Sequence, residues 1–279
     1  MKLLRVGAPG AEKPAILAAD GSIRDLSATV HDFDAATLSP GGLERLAQLD
    51  PMSLPVAASG RIGPCVPRPL NFICIGLNYA DHAAETGAAI PKEPIVFLKS
   101  LGAFCGPNDD VHIPRGSTKT DWEVELCIVI GSRASYVSEA GAMDHVAGYC
   151  IVNDVSEREY RIERGGTWDK GKGCDTFGPT GPWLVTKDEV PDPQKLTMFL
   201  DVDGKRMQTG STATMIFGVA KLVSYVSHFM TLHPGDLIST GTPPGVGLGM
   251  KPPVYLHAGQ TMRLGIAGLG EQTQRVLQG

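Results

Sequence analysis

At 279 residues the chain is long enough to bury a sizeable core, either as one large domain or as a small domain followed by a larger one. Its 25 Lys and Arg against 30 Asp and Glu leave a formal net charge of -5, and no basic run interleaves with aromatics, which excludes a nucleic-acid partner. No stretch approaches the roughly 18 apolar residues of a membrane span, and the start, MKLLRVGAPGAEKPA, has no apolar secretory core, so a cytoplasmic protein with no membrane partner is expected.

Thirty-four glycines and twenty-one prolines suit short strands and many turns better than a helical bundle. The six cysteines form no CxxC pair and mostly fall inside apolar runs, as in FICIG, which reads as reduced, buried thiols. Residues 1–65 alternate strand-like pieces, LLRVG and PAILAADG with its Asp20-Gly21 turn, with polar stretches, and lead into PVAASGRIGPCVPRP. That proline-rich segment marks the expected boundary between a small N-terminal α/β domain, 1–65, and a β-rich domain, 66–279. From Asn71 onward, NFICIG, PIVFLKS, VELCIVIG, GYCIVND, GPWLVT, MFLDVDG, DLISTG and MRLGIAG are apolar pieces, many of them β-branched, closed by Gly, Asp, Ser or Thr.

Helices are few. GLNYADHAAETG predicts a short one with Asn78 as N-cap and Gly87 as stop, and DVSEREYRIERGG a second from Asp154. The longest is MIFGVAKLVSYVSHFM, where Ile216, Val219, Val223, Val226 and Met230 keep helical spacing until His233-Pro234-Gly235.

The stretch TDWEVELCIVIG carries the strongest chemical signal. Its alternation sets Trp122, Val124, Leu126, Ile128 and Ile130 on one face of a strand and leaves Glu123 and Glu125 side by side on the other. Two like charges at that spacing need either water or a positive partner. With Asp154, at the end of GYCIVND, they make a hard-oxygen set of the kind that Mg²⁺ or Mn²⁺ takes; the alternative is a wet sheet face with Asp154 capping the next helix.

On the GLNYADHAAETG helix, His82 and Glu85 stand three apart and share a face, so they are either a general base with its orienting carboxylate or an incidental surface pair. Downstream, Arg158, Arg161, Lys170 and Lys172 lie among glycines and suit an anionic substrate or an oxyanion, or simply a solvated basic loop. STGTPPGVGLG contains neither GK[ST] nor GxGxxG, so it is no phosphate loop; it is a rigid turn able to present Thr240 and Thr242.

In order, IGLNYADHAAE, PIVFLKS, DWEVELCIVIG, GYCIVNDVSERE, KGKGCDTFGPTGPWLV and GDLISTGTPPGVG resemble the fumarylacetoacetate hydrolase family, over Asn71 to about Gly268. The resemblance implies an α+β, β-rich fold, a mixed β-roll or sandwich core with short helices after a small N-terminal domain, in a homodimer or higher homo-oligomer. It implies a divalent cation, Mg²⁺ or Mn²⁺, on Glu123, Glu125 and Asp154, and a water-activating pair in His82 and Glu85. It further implies oxyanion stabilisation by Lys172 and Arg158, and substrate contacts from Thr242 and its neighbour Thr240. The chain departs from the family at Arg161, where glutamine is common. Within the family it looks most like sugar-acid enzymes that cleave 2,4-diketo-3-deoxy acids. The implied substrate is therefore a 2-oxo acid of the L-2,4-diketo-3-deoxyrhamnonate type, split into pyruvate and a hydroxy acid. Acylpyruvate hydrolysis, oxaloacetate decarboxylation and hydroxydienoate isomerisation are the alternatives.

Overall fold

The computed structural model describes residues 1–279, the side chain of Thr86 apart. The apolar runs become strands of two main sheets, and the chain is α+β and strand-rich. The larger sheet runs, in order, Ile23–Asp25, Lys13–Leu17, Lys2–Val6, Gly178–Thr186, Val146–Asn153, Val124–Ile130, Leu237–Ser239, Phe72–Gly76 and Ile95–Leu98, with Phe104–Cys105 added in parallel to Gly178–Thr186. The smaller runs Lys205–Ser211, Thr197–Val202, Thr261–Ile266, Gly270–Gln278 and Val111–Ile113. The N-terminal strands join the larger sheet through antiparallel pairing of Lys2–Val6 with Gly178–Thr186.

The Val124–Ile130 strand lies inside this sheet and is covered on both faces. Val124, Leu126, Ile128 and Ile130 pack into one cluster with Leu200, Leu264 and Val276 of the smaller sheet. Cys127 and Val129 pack into a second cluster with Leu3, Leu26, Phe33 and Leu38 from the N-terminal residues. A strand flanked on both sides by protein needs no polar face. The two glutamates that share its second face therefore sit out of water, and the wet-face alternative is ruled out.

Helices are shorter than their patterns predict. MIFGVAKLVSYVSHFM is helical only over Val219–Ser227, with Gly218 as N-cap, because Ile216 and Phe217 pair in extended form with Asn78. Asn78 itself is no N-cap: Tyr79 is, and the helix spans Ala80–Thr86 before left-handed Gly87. The Asn78 side chain is drawn away by long-range partners, donating to Thr240 O at 2.8 Å and Phe217 O at 3.1 Å. The third helix begins not at Asp154 but at Arg158, running to Ile162 with Glu157 as its cap.

Candidate active site

Antiparallel pairing of Val146–Asn153 with Val124–Ile130 sets Asn153 beside Val124 and Val152 beside Glu125. One step further, Asp154 N donates to Glu123 O at 2.9 Å, which brings the three carboxylates to one end of the sheet. All three are buried, and one oxygen from each lies within 4.8 Å of the others. They line a cavity of about 240 Å³.

Four cations meet this anionic floor. Lys172 Nζ donates to Glu123 Oε2 at 2.7 Å and to Asp154 Oδ2 at 2.6 Å. Arg158 Nη2 lies 2.8 Å from both Asp121 Oδ2 and Glu123 Oε1. Lys99, from the PIVFLKS strand end, reaches Asp154 Oδ1 at 2.6 Å from behind and also donates to Lys172 O and Phe177 O. Arg161 is the fourth. Burial alone would raise the Glu123 carboxyl, but Lys172 and Arg158 hold it well below the usual range. Glu125 goes the other way: burial, then repulsion from Asp154 and Glu123, pushes its carboxyl up. Both hydrogen bonds to Glu125, from Ser239 Oγ at 2.6 Å and Gly241 N at 2.9 Å, fall on Oε2.

His82 lines the same cavity from the Ala80–Thr86 helix. Its Nδ1 is 3.0 Å from Glu85 Oε2; since an ionised carboxylate only accepts, Nδ1 carries the proton, and the neutral ring then bears its lone pair on Nε2. Glu85 Oε1 accepts from Gly245 N at 3.0 Å, which ties the helix to the STGTPPGVGLG turn. Gly245 cannot be replaced there, because its φ of +102° is left-handed and a Cβ would come within 2.0 Å of Met207 O.

Arg161 turns inward. Its guanidinium lies 4.1 Å from the centroid of the Trp168 ring, and both side chains line the cavity. Trp168 packs on Phe97 and on Gly76, where a Cβ would overlap the indole at 2.2 Å. Lys170, by contrast, reaches only the exposed Arg164 backbone.

The two threonines differ from expectation. Thr240 is fully buried, donates to Leu126 O and is not among the cavity-lining residues, so its hydroxyl proton is committed to the sheet. Thr242 does line the cavity, but its proton goes to Val124 O at 2.9 Å and its oxygen accepts from Gln208, which leaves it no free donor. Sequence reading missed Asp121 and Lys99. Asp121 takes Arg158 on Oδ2, Gly247 N on Oδ1 and Leu248 N on Oδ2, so one carboxylate fixes both the arginine and a cavity wall. Its signal was present, as the first acid of D-x-E-x-E; that of Lys99 was a lone lysine at a strand end.

The donor set fits a divalent cation. The three carboxylates, with oxygens within 4.8 Å of one another, approach the roughly 4.2 Å that opposed ligands of Mg²⁺ span, and the Lys172 ammonium bridges two of them as a built-in cation while Glu125, among the described residues, has no cationic partner within 4 Å.

The family model for the fumarylacetoacetate (FAA) hydrolase C-terminal region matches residues 71–277. A curated Burkholderia multivorans protein described only as a hydrolase is 66% identical over 276 residues, 98% of each chain. The solved structure of fumarylacetoacetate hydrolase from Exiguobacterium antarcticum is similar at TM-score 0.88 and 34% identity, over 100% of both chains. That of 2-hydroxyhepta-2,4-diene-1,7-dioate isomerase from Mycobacterium marinum is similar at TM-score 0.75 and 31% identity, over 100% of this chain and 98% of that one.

Proposed function

This chain belongs to the fumarylacetoacetate hydrolase family, and from that premise we propose that it hydrolyses the C3–C4 bond of a 2,4-diketo-3-deoxy sugar acid. The substrate is 5-hydroxy-2,4-dioxohexanoate, the L-2,4-diketo-3-deoxyrhamnonate type, and the products are pyruvate and lactate. The observation that carries the reading is one cavity that holds three buried carboxylates on one side and the His82–Glu85 pair on another. At about 240 Å³ the cavity is at the small end of ligand sites, which favours a short acid.

Glu123, Glu125 and Asp154 would hold Mg²⁺ or Mn²⁺. When bound, the cation supplies charge stabilisation to the carboxylate and 2-oxo oxygens of the acid. His82 Nε2 takes a proton from water, which adds to C4, while Glu85 keeps the imidazole in the required tautomer. Lys172 donates to two carboxylates and, through a longer contact of 3.4 Å, to Asp154 O; that third N–H is the one to turn to the oxyanion that forms at C4, and Arg158 stands beside it. Asp121 and Lys99 position these groups. We further propose that the enzyme works in the cytoplasm as a homodimer; the six free thiols support a reducing compartment, and among the described residues no helix is long and apolar enough to cross a membrane.

A second reading is isomerisation of a hydroxydienoate, favoured by the Mycobacterium marinum isomerase at 31% identity. Product analysis decides between them. With Mg²⁺ present, 5-hydroxy-2,4-dioxohexanoate should yield pyruvate and lactate in equal amounts. An enzyme that rearranges a hydroxydienoate, or releases CO₂ from oxaloacetate, but yields no lactate would overturn the hydrolase assignment.

A further inference from the structure

Lys99, Arg158 and Lys172 are each bonded to carboxylate oxygens, whereas Arg161, among the described residues, has no hydrogen bond and no ion pair. Its Nε is out of water and unpartnered. A buried donor without an acceptor costs free energy, so this group is held for something that enters the cavity. The guanidinium stands over the Trp168 ring, and Gly76 makes room for that ring. The arginine is therefore fixed before any ligand arrives.

What it lacks is acceptors. Asp121, Glu123 and Asp154 are already taken by Lys99, Arg158 and Lys172. Oxygens of an incoming molecule can satisfy the donors that remain. Guanidinium presents a fork of parallel N–H groups, which matches two oxygens on adjacent atoms. Arg161 also sits one helical turn after Arg158, on the same side of the Arg158–Ile162 helix. If Arg158 attends the C4 oxygen, the next turn reaches the next oxygen along the substrate.

We propose that Arg161, laid on Trp168, is a specificity-determining residue that donates to the C4 oxygen and to a hydroxyl on C5, so that the site selects 5-hydroxylated 2,4-dioxo acids over their deoxy analogues. This rests on the hydrolase reading and deepens it. A hydrogen bond to a charged donor is worth roughly 10- to 100-fold in selectivity.

The test compares three acids on the Mg²⁺-loaded enzyme by pyruvate release: 5-hydroxy-2,4-dioxohexanoate, 2,4-dioxohexanoate, and the dicarboxylate 2,4-dioxoheptanedioate. Wild type should favour the hydroxy acid in kcat/KM by about 10- to 100-fold over the deoxy acid. Arg161→Met should lose far more on the hydroxy acid than on the deoxy acid, bringing the two together, and Arg161→Gln should fall between; the Gln variant carries the test if the Met variant fails to fold. Equal cleavage of the hydroxy and deoxy acids by wild type would sink the inference and leave the hydrolase reading standing, as would equal losses on both in the variants. Preference for the dicarboxylate would make Arg161 an anion receptor and overturn the proposal. Cleavage of none of the three would overturn both readings together.

Discussion

Lys172 donates to Glu123 across 2.7 Å with both side chains out of water, so this pair neutralises by protein what a divalent cation would neutralise by binding. Lys172→Met removes the ammonium and leaves Glu123 and Asp154 facing each other. Breaking a buried pair costs about 3–5 kcal/mol. The metal-free variant should melt well below wild type, and Mn²⁺ should raise its melting temperature more than it raises that of wild type. Equal Mn²⁺ shifts in thermal scans would mean that the lysine and the cation do not share these carboxylates.

Glu125 gives a pH dependence. Burial and its two carboxylate neighbours raise its pKa well above the free value, so it keeps its proton to higher pH than a free carboxyl and a cation competes with that proton. Affinity for Mn²⁺ should therefore rise with pH through the titration of this carboxyl, and binding within that range should release a proton. Calorimetry in buffers of different ionisation enthalpy reads this directly. Glu125→Gln should bind more weakly and abolish the buffer dependence, whereas Glu123→Gln, which alters a carboxylate already ionised, should weaken binding and keep it.

His82→Ala removes the nitrogen assigned to water activation. Cleavage of the 2,4-dioxo acid should drop by about 10²- to 10⁴-fold. Any oxaloacetate decarboxylation needs no activated water and should suffer much less. Both rates can be followed on one purified variant at saturating Mg²⁺, with pyruvate, lactate and CO₂ measured separately. Equal losses would assign His82 to the fold or to the carboxylate site.

Hydrogen bonds that fasten the Ala80–Thr86 helix include Glu85 to Gly245 N and Asp81 to Thr214 Oγ1 at 3.1 Å. The second is exposed and is the weaker latch. Thr214→Ala should raise amide exchange across residues 80–86 in the empty enzyme, and oxalate, as a pyruvate-like ligand, should restore protection. Exchange that is indifferent to both the substitution and oxalate would show that the segment does not open for substrate.

Residue spacing alone settles which side chains share a face and which stand together on a short helix. Glu123 and Glu125 alternate with a fully apolar set, and His82 and Glu85 are one turn apart; both relations follow from backbone periodicity, which is local. Periodicity is silent on what covers a face. Only the two-sided packing of the Val124–Ile130 strand, between residues from the far N-terminus and the smaller sheet, made the glutamates buried ones. Competition for donors was likewise decided at long range. Asn78 is an ordinary N-cap by sequence, yet Thr240 O and Phe217, more than a hundred residues away, take its side chain. Thr240 and Thr242 look free in a glycine-proline turn, but strand carbonyls 114 and 118 residues earlier claim their protons. Lys99 and Asp121 gave little sign of their importance because their partners are assembled only when the sheet closes. Arg161 was visible as an extra cation, but whether it faced water or the cavity depended on Trp168 finding the gap above Gly76, a contact that exists only in the folded chain.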